Sequence, residues 1–425
     1  MSAARLPLSY EATPPFYVPL SFFLTAALFG LAAGVYLLLQ PASLVSRWTP
    51  GALALTHLIT VGFMLLVMLG ALMQILPVVA GAHLPAIRAL SASVHLLVSS
   101  GAAALAWGLG DGQPALMQTG GGLLGLGVLL FLAAAAIGLR HGAAGHTTAR
   151  DLRFALIGLA VTAALGVLLV LALSRGIALP LAQLANLHVG WGWLGWGGVL
   201  MAATSWVVVP MFQITPNYPG WLTRIWAPLV CAVLAGWSGL TLAHSAEAPT
   251  LPQDTLAALA AALAVCFALA TLLVLRRTRR PQPDASFRTL QWSMLSTLAG
   301  VACAMLAVWL EQDGWSLAAG ILVLHGGFVS AISAMLYKIV PFLAWLHLTQ
   351  ARIKAPNMKK LLPDPPVRRQ LLLHAATLPA LLLATSGDAW AGRLAGAMLM
   401  AEFAWLLVNL AATAMRWRRT LLAHH

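Results

Sequence analysis

His57, His188 and His325 are the residues of this sequence best suited to chemistry. They recur at nearly even intervals along the chain. Each lies in a long apolar run that ends near one proline: Pro77 after His57, Pro210 after His188 and Pro341 after His325. Glycine comes soon after each histidine. His57 precedes Gly62, His188 precedes Gly190 and Gly192, and His325 precedes Gly326 and Gly327. An imidazole in hydrocarbon is costly unless it faces a bundle interior or a partner. The neutral ring is also a common ligand for metal ions and haem iron. Glycine beside a ligand lets a flat macrocycle approach the helix backbone. One such histidine reads most simply as an interhelical hydrogen-bonding residue. Three in the same setting favour a metal or haem.

The elements that would carry them are membrane helices. Of the 425 residues, 60% are hydrophobic and 8% charged, against roughly 25% charged in soluble domains. Apolar runs of about 20 residues, each able to cross about 30 Å of hydrocarbon, recur from end to end. They are continuous and rich in Leu and Ala, which excludes the short alternating strands of a β-barrel. The expected helices are approximately 16–40, 51–77, 86–110, 115–140, 152–174, 181–209, 222–244, 253–276, 289–310, 315–341, 370–386 and 389–414. Short connections make this a single transmembrane domain. Twelve helices divide into three pseudo-repeats, roughly 16–140, 152–276 and 289–414, with a histidine on the second helix of each. Running the same way, those helices would place the three rings at similar depth.

The net charge of +13 reflects topology rather than a nucleic-acid surface. With the N-terminus cytoplasmic, 20 of the 24 Lys and Arg residues fall in cytoplasmic segments. That bias orients a multi-pass protein of the bacterial inner membrane with both termini inside. Acidic residues such as Asp111, Glu247, Asp254, Glu311, Asp313 and Asp388 gather in the opposite loops. Cys231, Cys266 and Cys303 lie in apolar runs and form no paired-cysteine motif. The first apolar stretch is too long for a signal peptide, and only Arg5 precedes it.

The arrangement resembles the heme-copper oxidase superfamily, whose catalytic subunit folds as twelve helices in three four-helix arcs. The resemblance spans the chain as architecture and is confined, as sequence, to helices 2, 6 and 10. It implies that His57 is a low-spin haem ligand, that His188 stands where a copper ligand stands, and that His325 is a haem ligand. The departures are specific. Gly327 occupies the place of the second helix-10 histidine, helix 7 has no histidine before His244, and helix 6 offers no clear active-site tyrosine. A complete oxygen-reducing centre is therefore not expected. A reduced member similar to the NnrS-like proteins is, and it implies haem b, copper as a second metal, and a role in redox chemistry or the response to nitric oxide alongside respiratory-chain components. A transporter or assembly factor for haem, copper or a small solute, using a His-lined cavity, is the alternative.

Other residues invite plainer readings. Trp191, Trp193, Trp196 and Trp206 suit an interfacial belt. Met64, Met68 and Met73 read as core or lipid-facing filler. Lys338 is placed to snorkel, with Tyr337 beside it. Glu402 is a carboxylate deep in a helix, expected to be protonated or paired. His95, His141, His146, His347, His374, His424 and His425 are assigned no site. Gln74 and Gln213, each close to a repeat proline, would bond the carbonyls that the prolines release.

Overall fold

The computed structural model describes residues 10–140, 147–243, 251–310 and 312–423. Arg5, His141, His146, His244, Glu247, Glu311, His424 and His425 lie outside them, as does the Asp313 side chain. The described residues are mostly helical, with no strand among them. Twelve long helices follow in order: α1 Tyr17–Leu39, α2 Pro50–Ala80, α3 Ile87–Asp111, α4 Pro114–Arg140, α5 Thr147–Arg175, α6 Leu181–Gln213, α7 Gly220–Ala243, α8 Leu251–Arg276, α9 Ala285–Leu310, α10 Gly314–Gln350, α11 Asp364–Ala384 and α12 Ala389–Leu422. Eleven are long and apolar enough to cross a membrane. The other, α11, has 21 residues, but Arg368, Arg369, Gln370 and His374 dilute its apolar character.

The chain divides into two compact units. One comprises the described parts of Met1–Pro14, Ala71–Gly101 and Pro114–Thr278; the other comprises Pro15–Gly70, Ala102–Gln113 and the described parts of Arg279–His425. In the first, α4 packs on α5 and α7 on α8. Buried Asp151 on α5 accepts from Arg150 at 2.7 Å and from Trp206 Nε1 on α6 at 3.0 Å. In the second, α1 packs along α12. Gly30 and Gly34 let the chain pass close to Phe403 and Met400, and Gly392 and Gly396 do the same at Pro41 and Leu38. Small residues at a contact bring backbones together, which is how apolar helices associate without a hydrophobic drive.

The histidine-bearing helices share one irregularity. In each, eight residues wind as a π-helix: Leu58–Leu65 in α2, Trp191–Gly198 in α6 and Leu322–Val329 in α10. The fifth residue of each turn is glycine (Gly62, Gly195, Gly326). The repeat prolines, Pro77, Pro210 and Pro341, follow those glycines at one constant interval. The first helix of each quartet lies against this turn. Phe29 of α1 covers Gly62, Gly158 of α5 meets the Gly195 carbonyl, and Ser296 of α9 meets Gly326. A π turn widens the helix and misaligns its hydrogen bonds, a cost retained mostly at functional sites. The histidines are in looser register than the frame. His57 immediately precedes its π turn, His188 stands a little further ahead of its turn, and His325 lies within its own.

Several side chains depart from the expected roles. Trp191, Trp196 and Trp206 are buried rather than interfacial, and Trp191 Nε1 donates to Ser238 Oγ at 2.9 Å. The indole N–H finds a partner inside the protein, so these rings are core. Met64, Met68 and Met73 are buried core residues. Lys338 does not reach outward alone. It pairs with Asp284 just before α9, and Arg280 Nη1 donates to the same carboxylate at 2.7 Å. The other Asp284 oxygen accepts the Phe287 N–H at 3.0 Å, capping α9.

Burial alone would raise the Asp284 carboxyl, but Lys338, the Phe287 N–H and Arg280 together hold it below its ordinary value. A lowered native pKa stabilises the fold above the unfolded value of about 3.9 and loses that contribution as pH falls through the native value. Asp284→Asn should therefore cost about 2 kcal/mol at neutral pH. The deficit should shrink below about pH 4. Thermal unfolding in detergent across pH measures it, and a deficit that does not change with pH would contradict the charge account.

Candidate metal centre

His325, His374 and Glu402 come together in the second unit, from α10, α11 and α12. They are 5%, 1% and 0% exposed. Glu402 Oε1 accepts from His325 Nε2 at 3.0 Å and from His374 Nδ1 at 3.2 Å. The two imidazole centroids are 4.3 Å apart with planes inclined by 31°. One donor atom from each of the three residues falls within 4.8 Å of the others. Among the described residues this is the one group of three or more His, Cys, Asp or Glu side chains so placed.

Local structure explains how each residue arrives. His325 lies within the π turn, beside Gly326, where Ser296 of α9 packs closely. Ser293 Oγ of α9 donates to the Gly327 carbonyl at 2.7 Å, so a carbonyl within the turn keeps a partner. Gln370, one turn before His374 on α11, donates through Nε2 to the Glu402 main-chain carbonyl at 3.2 Å. Phe63 and Phe403 meet edge-on with centroids 5.0 Å apart, adding apolar cover at the residue after Glu402.

Neighbouring groups set the proton pattern. With Nδ1–H of His374 on Glu402, its Nε2 accepts the Ser330 hydroxyl at 2.7 Å. If His374 carries both protons, Ser330 Oγ becomes the acceptor and its own hydrogen turns to the His325 carbonyl, 3.3 Å away. In that form only the Ser330–His374 bond reverses, and both rings still donate to Glu402. Two buried atoms in the cluster have no hydrogen-bond partner: His325 Nδ1 and Glu402 Oε2. Both carry lone pairs. Buried polar atoms are nearly always satisfied, so these two leave the hydrogen bonding of the cluster incomplete. Two imidazoles and a carboxylate are a donor set for a divalent first-row metal. The group can bind such an ion.

The three histidines of the oxidase-like scheme are distributed differently. His57 and His325 belong to the second unit and His188 to the first. His57 donates Nδ1–H to the Leu53 carbonyl at 2.7 Å, and His188 donates Nδ1–H to the Thr162 carbonyl of α5 at 3.0 Å. That bond orients an imidazole and leaves Nε2 with the coordinating lone pair, as in metal- and haem-ligating histidines. His325 directs Nε2 to Glu402, a side-chain partner rather than a main-chain carbonyl.

Two participants were not legible as such in the sequence. His374 lies within the expected helix 370–386, close to Arg368 and Arg369, and no spacing or motif assigned it a partner. Glu402 stood out as a deep carboxylate, and nothing in the sequence named its partners. Tyr337, singled out beside Lys338, accepts from Asn409 Nδ2 at 3.0 Å. His347 donates Nδ1–H to the Leu343 carbonyl at 2.8 Å and contacts Phe16. No protein-family model matches the chain, and no curated protein matches it.

Proposed function

We propose that this chain is a multi-pass protein of the bacterial inner membrane, with twelve crossings in three four-helix arcs and both ends cytoplasmic. In this reading it is a reduced relative of the heme-copper oxidase catalytic subunits, similar to NnrS-like proteins. It serves redox chemistry or the response to nitric oxide rather than dioxygen reduction. The observation that carries this reading is the common frame of α2, α6 and α10: a π turn, a glycine at its fifth residue and a proline at a fixed interval beyond, with a histidine within or just before the turn. The missing helix-7 histidines and Gly327 speak against an oxygen-reducing centre.

His57 is the residue that would hold a b-type haem. Its Nδ1–H bond to Leu53 keeps the ring oriented and Nε2 basic. Bound there on one protein imidazole, a haem would supply a site for a diatomic gas such as nitric oxide. His188 would hold copper in the oxidase scheme, but on its own it offers one imidazole. The absorption spectrum of the purified full chain, expressed with ample haem, tests this. A Soret band should appear, vanish in His57→Ala and persist in His188→Ala. Protein that stays colourless overturns the haem reading.

A second reading, carriage or delivery of a metal ion to another membrane protein, is favoured by the ion-sized donor group at His325, His374 and Glu402. Exchange of metal across vesicles containing the protein would support it, and metal that never leaves the protein would not.

A further inference from the structure

We infer that His325, His374 and Glu402 form a non-haem site for one divalent first-row metal ion, of the zinc or ferrous iron class, held within α10, α11 and α12. The inference does not rest on the haem reading above, since it assigns His325 to a different metal. It starts from charge. Glu402 is fully buried and takes hydrogen bonds from two rings on one oxygen. With both rings neutral, the group would place a net negative charge inside a membrane helix bundle, which is costly. A divalent ion reverses that balance, and two imidazoles with one carboxylate suit zinc or iron better than magnesium or calcium.

Distances agree with this assignment. Donor atoms about 2.1 Å from a tetrahedral ion lie about 3.4 Å from one another. The observed separations from Glu402 Oε1, 3.0 and 3.2 Å to the two ring nitrogens, need only a small adjustment. Glu402 Oε2, which has no hydrogen-bond partner, supplies a further lone pair on the same carboxylate. Around the donors, Ser330 fixes the second nitrogen of His374, and Gln370 holds the Glu402 backbone. Partners of this kind orient ligands at metal sites, and losing one typically weakens binding about 10–100-fold.

The competing explanation is a structural triad that shares one proton and needs no ion. Cobalt(II) distinguishes them. The full chain, purified without a histidine tag and stripped of metal, is titrated with Co²⁺ and then Zn²⁺. One equivalent of Co²⁺ should give visible absorption that Zn²⁺ abolishes. His374→Ala and Glu402→Gln should each weaken binding by more than about 100-fold, while His57→Ala and His188→Ala leave it unchanged. Helix content and monodispersity establish that the variants fold. X-ray absorption at the cobalt edge of the wild-type protein needs no variant, and it should show two imidazole rings and no sulfur. Wild-type protein that retains no Co²⁺, binding unchanged in His374→Ala, or a cobalt shell without imidazole overturns the inference. A Soret band that survives in His325→Ala would leave it standing. One lost only in His325→Ala, with no Co²⁺ site, would replace it.

Discussion

Gly158→Ala should lower the unfolding free energy in detergent by about 3 kcal/mol, the upper end of what overpacking costs. A β-carbon at 158 would overlap the Gly195 carbonyl group and stand 2.8 Å from the Trp196 nitrogen. These are main-chain atoms of the π turn in α6, so no side-chain rotation relieves the clash. Either α5 moves away or the π turn changes, and both disturb the Thr162 carbonyl that orients His188. Gly122→Ala is the control. A β-carbon there meets nothing within 4 Å, and alanine in a helix interior should be neutral or stabilising by up to about 1 kcal/mol. Thermal or denaturant unfolding of both variants decides. Equal stabilities would mean that α5 and α6 do not approach as closely as described.

Asp151→Ala should cost about 2–3 kcal/mol, mostly because it leaves the buried Trp206 indole N–H without its acceptor. The carboxylate ties α5 to α6 through Trp206 Nε1, and Arg150, which it holds, also donates to the Thr223 carbonyl at 3.0 Å at the start of α7. Arg150 is about one-third exposed and can turn to water, so its share is small. Asp151→Asn should recover part of the stability because the amide oxygen can accept from Trp206. The cobalt affinity of both variants should equal that of the wild type, since Asp151 and the metal donors belong to different units. A variant that loses cobalt while keeping its stability would contradict this assignment of roles.

Helix type and the polytopic class were legible because they follow from apolar length, which the sequence states directly. The threefold pattern was legible too, but its frame was hidden by the choice of histidine as the marker. Aligned on histidine, the prolines fall at three different spacings. Aligned on Gly62, Gly195 and Gly326, they fall at one. The glycine is held constant because a neighbouring helix leans on the π turn at that point. The histidine varies because each ring answers to a different partner: a main-chain carbonyl of its own helix, a carbonyl of α5, or Glu402.

The metal centre itself was out of reach for a different reason. His325, His374 and Glu402 are far apart in the chain, on three helices whose mutual rotation no local periodicity specifies. The helix that carries His374 begins at Asp364, earlier than its apolar run suggests, and its polar first turns made His374 one of several polar residues there. Glu402 was the usable signal. A carboxylate that deep needs partners of opposite character, and the basic side chains available inside apolar helices were few.

Diffraction from crystals of the full chain grown with zinc, recorded on both sides of the zinc absorption edge, tests the metal assignment most directly. One anomalous peak should lie among His325, His374 and Glu402, within about 2.1 Å of a nitrogen from each ring and of a carboxylate oxygen. No peak there, with the three side chains hydrogen-bonded only to one another and to Ser330, would show that the cluster is a structural triad. An iron peak on His325 at the centre of a porphyrin would contradict the assignment outright.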